Sequence, residues 1–588
     1  MTTISSSSFE NNIHPFDRKF FDSEHLFTSI GSGELGGKAK SLAIIHDFLS
    51  SSEELLEYPE IEVSIPRLTV IRTGVFDSFM ARNRLWDSAL SDEPDDRIAH
   101  VFQKATLPIE IIGDLRALVS HVHRPLAVRS SSLLEDAIYE PFAGIYGTKM
   151  IPNNQPNPDV RFQKLVEAIK FVFASTYFGA AKDYIRATEH DPREEKMAVI
   201  IQEVVGHRHS DRFYPEVSGV AKSYNFYASG RAKPDEGVIS LALGLGKTIV
   251  DGGISWSYSP AHPRIGPPLG STKEFLNNTQ TEFWAVNMGK PPEYDPIRET
   301  EYLTRVSIQL AEEDGVLKNL ASTYDSASDR ITAGMHVSGP RILTFAPLLE
   351  WNVIPLNDLL KTLLLLSQNA FEVPTEIEFA LTFQDDKQSQ TKNRLGFLQV
   401  RPMVVSREQV VITEDDLDRP DLFTASDTVL GNGLVRGIKD VIFVKPEQFT
   451  ASNNKAIAAE IASMNRKLLS RGKPYLLIGF GRWGSSDPWL GIPVNWGQVS
   501  GAKAIVEATL PNMNIELSQG SHFFQNLTSF KVSYFSIPFT AEHPVDWEWL
   551  NQQEKALEKK FVCHSILKDP LLIKVDGRTG RGMILKKA

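Results

Sequence analysis

Cysteine is almost absent: Cys563 is the single one in 588 residues. An intrachain disulfide is therefore excluded, as is a zinc site built from several thiolates, and a reducing, cytoplasmic setting suits such a chain. Long apolar runs are missing too. The most apolar short stretch, Leu363–Leu366, is far below the roughly 20 residues that span a bilayer, and Met1–Asn12 is polar and serine-rich rather than basic and then apolar. Neither secretion nor membrane insertion is expected. Positive charge is in deficit, with 62 Lys and Arg against 73 Asp and Glu and a formal net charge of -11. That balance excludes a dedicated nucleic-acid binder and leaves small molecules and proteins as partners. There is no fixed-period repeat, and no low-complexity tract beyond Ser5–Ser8.

What is present is a chain with 42% hydrophobic residues, long enough to bury sizeable cores and to divide into two or three domains. Residues 1–18 are polar and lack periodicity, so a flexible tail is expected there. Leu42, Ile45 and Leu49 recur at helical spacing and predict a helix over 39–49, opened by a Gly36-Gly37-Lys38 loop. A helix over 356–369 carries the apolar stripe Leu356, Leu359, Leu360, Leu363 and Leu364. Short strands are expected at 68–71, 126–129, 197–205, 217–227, 238–243 and 397–400, which together predict a mixed α/β fold running to about Met403. Charge and turn formers over 406–425 mark a linker. A second, smaller α/β domain follows over 426–588, with strands expected at 441–444, 475–478, 531–537 and 571–575 and a helix over 455–469.

The most informative stretch is Val128-Arg129-Ser130-Ser131-Ser132, followed by Glu135-Asp136 and by Phe142-Ala143-Gly144. A guanidinium offers fixed forked donors and each Ser adds another, a set that suits a polyphosphate at the end of an apolar strand. Gly36-Gly37-Lys38 places a further cation at a helix entry, where free amide groups and the helix dipole favour anions. Far downstream lie Glu376-Ile377-Glu378-Phe379 and Leu398-Gln399-Val400-Arg401-Pro402. Strand alternation puts Glu376 and Glu378 on one face. Carboxylates, an amide and cations together suit phosphoryl transfer, which needs position and charge neutralisation rather than a protein nucleophile, with magnesium as the hard cation of choice.

In this order the segments resemble the nucleotide-binding half of the phosphoenolpyruvate synthase and pyruvate phosphate dikinase family, over roughly residues 20–405. The resemblance implies a two-lobed ATP-grasp domain over 19–405, dividing near 206, that binds ATP and magnesium. It implies that Gly36, Gly37 and Lys38 form the phosphate-neutralising loop and that Arg129 and Ser130 contact phosphate. Glu376, Glu378 and Gln399 match the metal and phosphate shell, Arg401 the arginine at the transferable phosphate, and Gln202 the adenine wall. Lys38, Arg129 and Arg401 are thereby the expected catalytic cations. Two departures stand out. Lys222 lies in Ala221-Lys222-Ser223, where the family often has an arginine, and Lys247 follows Gly244-Leu245-Gly246, where an acidic residue is usual.

The family's carrier-histidine motif is missing, and the residues after Met403 are too few for a barrel of typical size, so synthesis of phosphoenolpyruvate by this chain alone is not expected. Gly520-Ser521-His522 resembles the carrier motif faintly, which makes His522 a candidate relay. A packed histidine beside Phe523 and Phe524 is the competing reading. Asp576-Gly577 resembles the closing turn of a swivelling domain. Cys563-His564 is expected near a helix-to-strand junction. Gly479-Phe480-Gly481-Arg482-Trp483-Gly484-Ser485-Ser486 is a second candidate anion site, with Trp483 and Trp489 available to stack on a ring, or else a compact turn with packing tryptophans. The leading expectation is an ATP-dependent phosphotransferase acting on an unidentified small-molecule or protein acceptor. A nucleotide-responsive regulatory module with little turnover and an ATP-grasp ligase are the alternatives.

Overall fold

The computed structural model describes residues 13–19, 26–133, 135, 145–186, 191–225, 232–251, 253–266, 272–277, 279–384, 392–403, 410–485, 489–511, 513, 527, 532–577 and 579–587. The fold is mixed α/β, built from several mixed sheets. Three of these sheets position the candidate site and its surroundings.

The first sheet has six strands in the order His14–Pro15, Phe27–Ile30, Leu68–Ile71, Met197–Glu203, Leu126–Ser132 and Thr148–Ile151. The first three run parallel and the rest antiparallel. Residues 13–18 are thus tied down rather than forming the end of a flexible tail: His14 and Pro15 pair with Thr28 and Ser29, and Phe16 donates its amide to the Ser29 carbonyl. The strand at Leu126 also runs further than expected. Ser130, Ser131 and Ser132 continue the ladder opposite Val199, Ala198 and Met197 and are fully buried. Three hydroxyls in a row are tolerated in a buried strand because each finds a local partner, as described below.

The second sheet runs Trp256–Tyr258, Val238–Ala242, Val217–Lys222, Thr375–Thr382, Asn393–Pro402 and Ile61–Ser64, antiparallel except for its last pair. Its odd-numbered residues Ile377, Phe379 and Leu381 enter one apolar core with the helices Gly37–Ser51 and Leu356–Phe371. The expected leucine stripe Leu356, Leu359, Leu360, Leu363 and Leu364 is buried there. The even-numbered residues, Glu376 and Glu378 among them, consequently face the other way. The helix Gly37–Ser51 packs on the strand Asn393–Pro402 and also touches Leu126–Ser132, so it bridges the two sheets.

The third sheet has nine strands and belongs to the carboxy-terminal part. Its centre is parallel: Gly433–Val444, Tyr475–Phe480, Ala502–Ala508 and Ser533–Ile537. The helix Asn454–Leu469 makes the crossover between the first two. Leu422–Ser426 is an edge strand of this sheet, paired to Arg581–Leu585, where turn-forming linker was expected. Cys563 and His564 sit inside the long strand Val562–Asp576, not at a helix-to-strand junction. The strand continues through them because both are buried and paired opposite Phe443 and Ile442. One continuous cluster of buried apolar side chains joins this sheet to the helical side of the first, where the helix Gly179–Arg186 packs on Trp496–Gln498. Among the described residues no helix is long and apolar enough to cross a membrane.

Candidate functional site

The helix entry at Gly36-Gly37-Lys38 is locked against the serine strand. Gly36 has φ +76° and is the residue before the first turn. A Cβ there would lie 1.6 Å from the backbone oxygen of Ser131, so only glycine fits. Ser131 returns the contact by accepting from the Ala39 amide at 3.0 Å and donating to the Leu35 carbonyl. This close approach delivers Lys38 to the strand. Its Nζ lies 2.7 Å from Glu135 Oε1 and 3.2 Å from Ser130 Oγ. Ser130 Oγ donates to the same carboxylate oxygen at 2.8 Å, and the Ser132 amide donates to the other at 2.9 Å. Glu135, buried to 1% exposure, is therefore the counter-ion that holds Lys38 and the serines in one arrangement. The sequence motif contained Glu135, but its pairing with Lys38 spans 97 positions and was not anticipated.

Arg129 leaves the same strand toward the second sheet. Nη1 donates to the Leu398 carbonyl at 2.9 Å and to Gln202 Oε1 at 3.2 Å, Nη2 donates to Gln399 Oε1, and Glu378 Oε2 lies 3.6 Å away. Gln202, expected at an adenine edge, turns its carbonyl toward Arg129. Its strand neighbour across the ladder is Ala127, which puts Gln202 and Arg129 on one face. The Nε2 groups of both Gln202 and Gln399 are buried and have no acceptor. Two amide donors left unpaired on either side of one guanidinium are costly unless something else supplies an acceptor.

On the second sheet Lys222, Glu376 and Arg401 form one cross-strand row, and Val220, Glu378 and Gln399 form the next. Arg401 Nε donates to Glu376 Oε1 at 2.9 Å, with Glu378 Oε1 3.4 Å from Nη2. Lys222 Nζ lies 3.3 Å from Glu376 Oε2. Both oxygens of Glu376 are thus occupied by cations, and only 2% of that residue is exposed. Lys222 reaches Glu376 as a point charge and offers no guanidinium fork.

Lys247 is likewise paired, 3.1 Å from Asp251 Oδ2 and 3.8 Å from Glu299 Oε1. Burial works against its ammonium, but Glu299 and Asp251 more than offset this and hold its pKa above the ordinary lysine value. The Glu299 carboxylate is pushed up by the low-polarity walls around it although 44% of its side chain stays accessible, as a group inside a cleft can be. It senses Lys38 as well as Lys247 as opposing charges. Lys247 is thus held between two carboxylates, Asp251 and Glu299, the second of which also feels Lys38. Asp251 also lines an open cavity of about 190 Å³, to which Ser485 and Leu490 of the carboxy-terminal part contribute.

The run Gly479–Ser485 follows the central parallel strand. Trp483 is fully buried and donates Nε1 to the Val506 carbonyl at 3.2 Å, and a Cβ at Gly479 would lie 2.4 Å from its ring. It is a packing residue and offers no face for stacking, whereas Trp489 is 74% exposed. Behind the run, Glu507 is buried beside Arg482 and accepts from the Tyr534 hydroxyl; burial pushes its carboxyl up to about 7. His522, together with Asp136, Phe142, Ala143, Gly144 and Ser486, lies outside the described residues. Among the described residues there is no group of three or more His, Cys, Asp or Glu side chains able to hold a metal ion.

A family model, pyruvate phosphate dikinase AMP/ATP-binding domain, matches residues 32–420. The chain belongs to this family, whose members are ATP-binding phosphotransferases of the phosphoenolpyruvate synthase and pyruvate phosphate dikinase type. No curated protein matches the sequence.

Proposed function

We propose that the chain is an ATP-dependent phosphotransferase with an ATP-grasp arrangement. In this reading residues 19–405 are the nucleotide unit, dividing near 206, and 406–425 lead into an acceptor unit over 426–588. The nucleotide lies between the first two sheets, with its phosphates among Lys38, Arg129 and Arg401. The observation that carries this reading is the pair of buried, acceptor-less amide groups of Gln202 and Gln399 flanking Arg129. Phosphate oxygens are the acceptors that such a set of donors calls for. Lys38, held by Glu135 and Ser130 without a ligand, would exchange part of that contact for the nucleotide.

Magnesium fits the donors, as an ion that arrives with the nucleotide. It commonly takes one or two carboxylates and completes its shell with phosphate oxygens and water. Glu378 and Gln399 would supply a carboxylate and an amide oxygen, the latter once Arg129 turns to phosphate. When bound, the ion neutralises charge on the transferring phosphoryl group. Glu376 is assigned instead to orienting Arg401, because both of its oxygens are already engaged by cations.

For the acceptor, the cavity between Asp251 and Ser485 supports a small molecule entering beside Lys247. A relay through His522 is the second route to the same outcome. Incubation with magnesium and ATP labelled in the terminal phosphate tests the scheme. Label on a small acceptor supports direct transfer. Acid-labile label on protein that disappears in His522→Ala supports the relay. Binding without turnover would replace phosphotransfer by nucleotide sensing, and an amide product would replace it by ligation.

A further inference from the structure

Glu376, Glu378, Gln399 and Arg401 lie toward one end of the strands Thr375–Thr382 and Asn393–Pro402. At the opposite end of the same strands lies a cavity of about 450 Å³, lined by Arg124, His207, Thr382, Lys392 and Arg394, with Glu62 as the carboxylate in its wall. Thr382 and Arg394 are cross-strand partners. Alternation from Glu376 through Glu378 places Thr382 on the same face of the sheet. Six residues of strand at about 3.3 Å each put the cavity roughly 20 Å from Glu376. That gap exceeds the length of a triphosphate. If the nucleotide phosphates lie at Lys38 and Arg401, as the proposed function has it, they do not reach this end.

Its charge is distinctive. Lys38, Arg129, Lys222, Lys247 and Arg401 each have a carboxylate within ion-pair distance. Arg124, Lys392 and Arg394 have none among the described residues, although all three line one cavity. Glu62 is the backbone neighbour of Arg394 on the adjacent strand without pairing to it. Glu216 is taken by His207 at 2.9 Å and by the Phe383 amide. Arg394 Nε is itself buried without a hydrogen-bond partner. A buried guanidinium donor lacking an acceptor is costly, and two further unpaired cations repel it. A neutral nucleobase offers ring-nitrogen acceptors to the donor but no charge to offset the cations. An anion relieves both.

We propose that this cavity is a second anion site, separate from the nucleotide phosphates, that takes a phosphorylated small molecule carrying two or more negative charges. Arg394 supplies the buried directional donor and Arg124 and Lys392 supply charge at the mouth.

The test uses the full chain saturated with magnesium and β,γ-methylene-ATP, so that the Lys38 side is filled, and follows pyrophosphate binding by calorimetry in excess magnesium. One saturable pyrophosphate site is expected, weakened at least tenfold in Arg394→Gln and several-fold in Lys392→Gln, with affinity for the ATP analogue within twofold of wild type in both. Lys392 is exposed, so its variant guards against a folding defect at Arg394. Absence of pyrophosphate binding to the loaded chain, or equal binding by wild type and both variants, overturns the proposal. Displacement of pyrophosphate by adenosine also overturns it, because the cavity would then belong to the base and ribose of the nucleotide. Failure of the analogue to bind wild type would sink the nucleotide reading instead, and Arg394-dependent pyrophosphate binding would still be readable on the nucleotide-free chain.

Discussion

Arg129 and Gln399, 270 positions apart, meet where the first sheet faces the second: the guanidinium donates to the amide oxygen of Gln399 and, at 2.9 Å, to the carbonyl of Leu398 beside it. One side chain thereby fastens two sheets across the cleft while leaving the Gln399 amide nitrogen without an acceptor. A ligand that draws Arg129 away from Gln399 would alter this fastening, so binding and sheet-to-sheet closure are expected to be coupled.

Replacing Lys38 or Arg129 by Ala should weaken ATP by about 1.5–3 kcal/mol each, the usual range for hydrogen bonds to charged groups. Calorimetry at constant ionic strength measures this. Unchanged affinity in both variants would remove the nucleotide from this end of the cleft.

Glu376 and Glu378 should separate when each is changed to Gln. Glu376→Gln strips the buried counter-charge from Arg401 and Lys222, and about 3–5 kcal/mol of stability should be lost in urea denaturation. Glu378 is more exposed, at 16% of its side chain, so Glu378→Gln should unfold near the wild-type midpoint while magnesium-dependent turnover falls. The reverse pattern would make Glu376 the metal ligand.

Arg401→Lys keeps the charge and loses the fork that engages Glu376. Turnover should drop much further than ATP affinity, because a misplaced cation costs most where charge develops in transfer. Equal losses in both would reassign Arg401 to ground-state binding.

Glu507 gives a pH signature of stability. Its folded pKa is raised by burial to about 7, above the ordinary 4.5, so between these values the folded chain binds more protons than the unfolded one. Stability contributed by this group is complete below about pH 4.5 and declines as pH rises toward 7 and beyond, by on the order of 3 kcal/mol. Glu507→Gln should therefore gain stability over wild type at pH 8 relative to pH 5 in chemical denaturation. Parallel pH profiles for the two proteins would show that Glu507 stays ionised in the fold.

Much of the fold was legible in the sequence because its signals are local. Helical spacing marked Gly37–Ser51 and Leu356–Phe371, β-branched runs marked the central strands, and alternation placed Glu376 and Glu378 on one face. Short motifs also gathered Lys38, Arg129, Gln399 and Arg401 as one candidate set, through their resemblance in order and type to the family's nucleotide-binding segments. Tertiary structure alone decided the partners. Lys222 meets Glu376 through antiparallel register, Glu135 meets Lys38 because Gly36 lets a helix sit against Ser131, and Gln202 turns to Arg129 because two strands align. It also decided that Ser130–Ser132 are strand, that Trp483 is core, and that Arg124, Lys392 and Arg394 share a cavity without ion-pair partners among the described residues. Periodicity reports which face a residue occupies within its own element; which charge stands opposite depends on register and sheet packing between segments hundreds of residues apart.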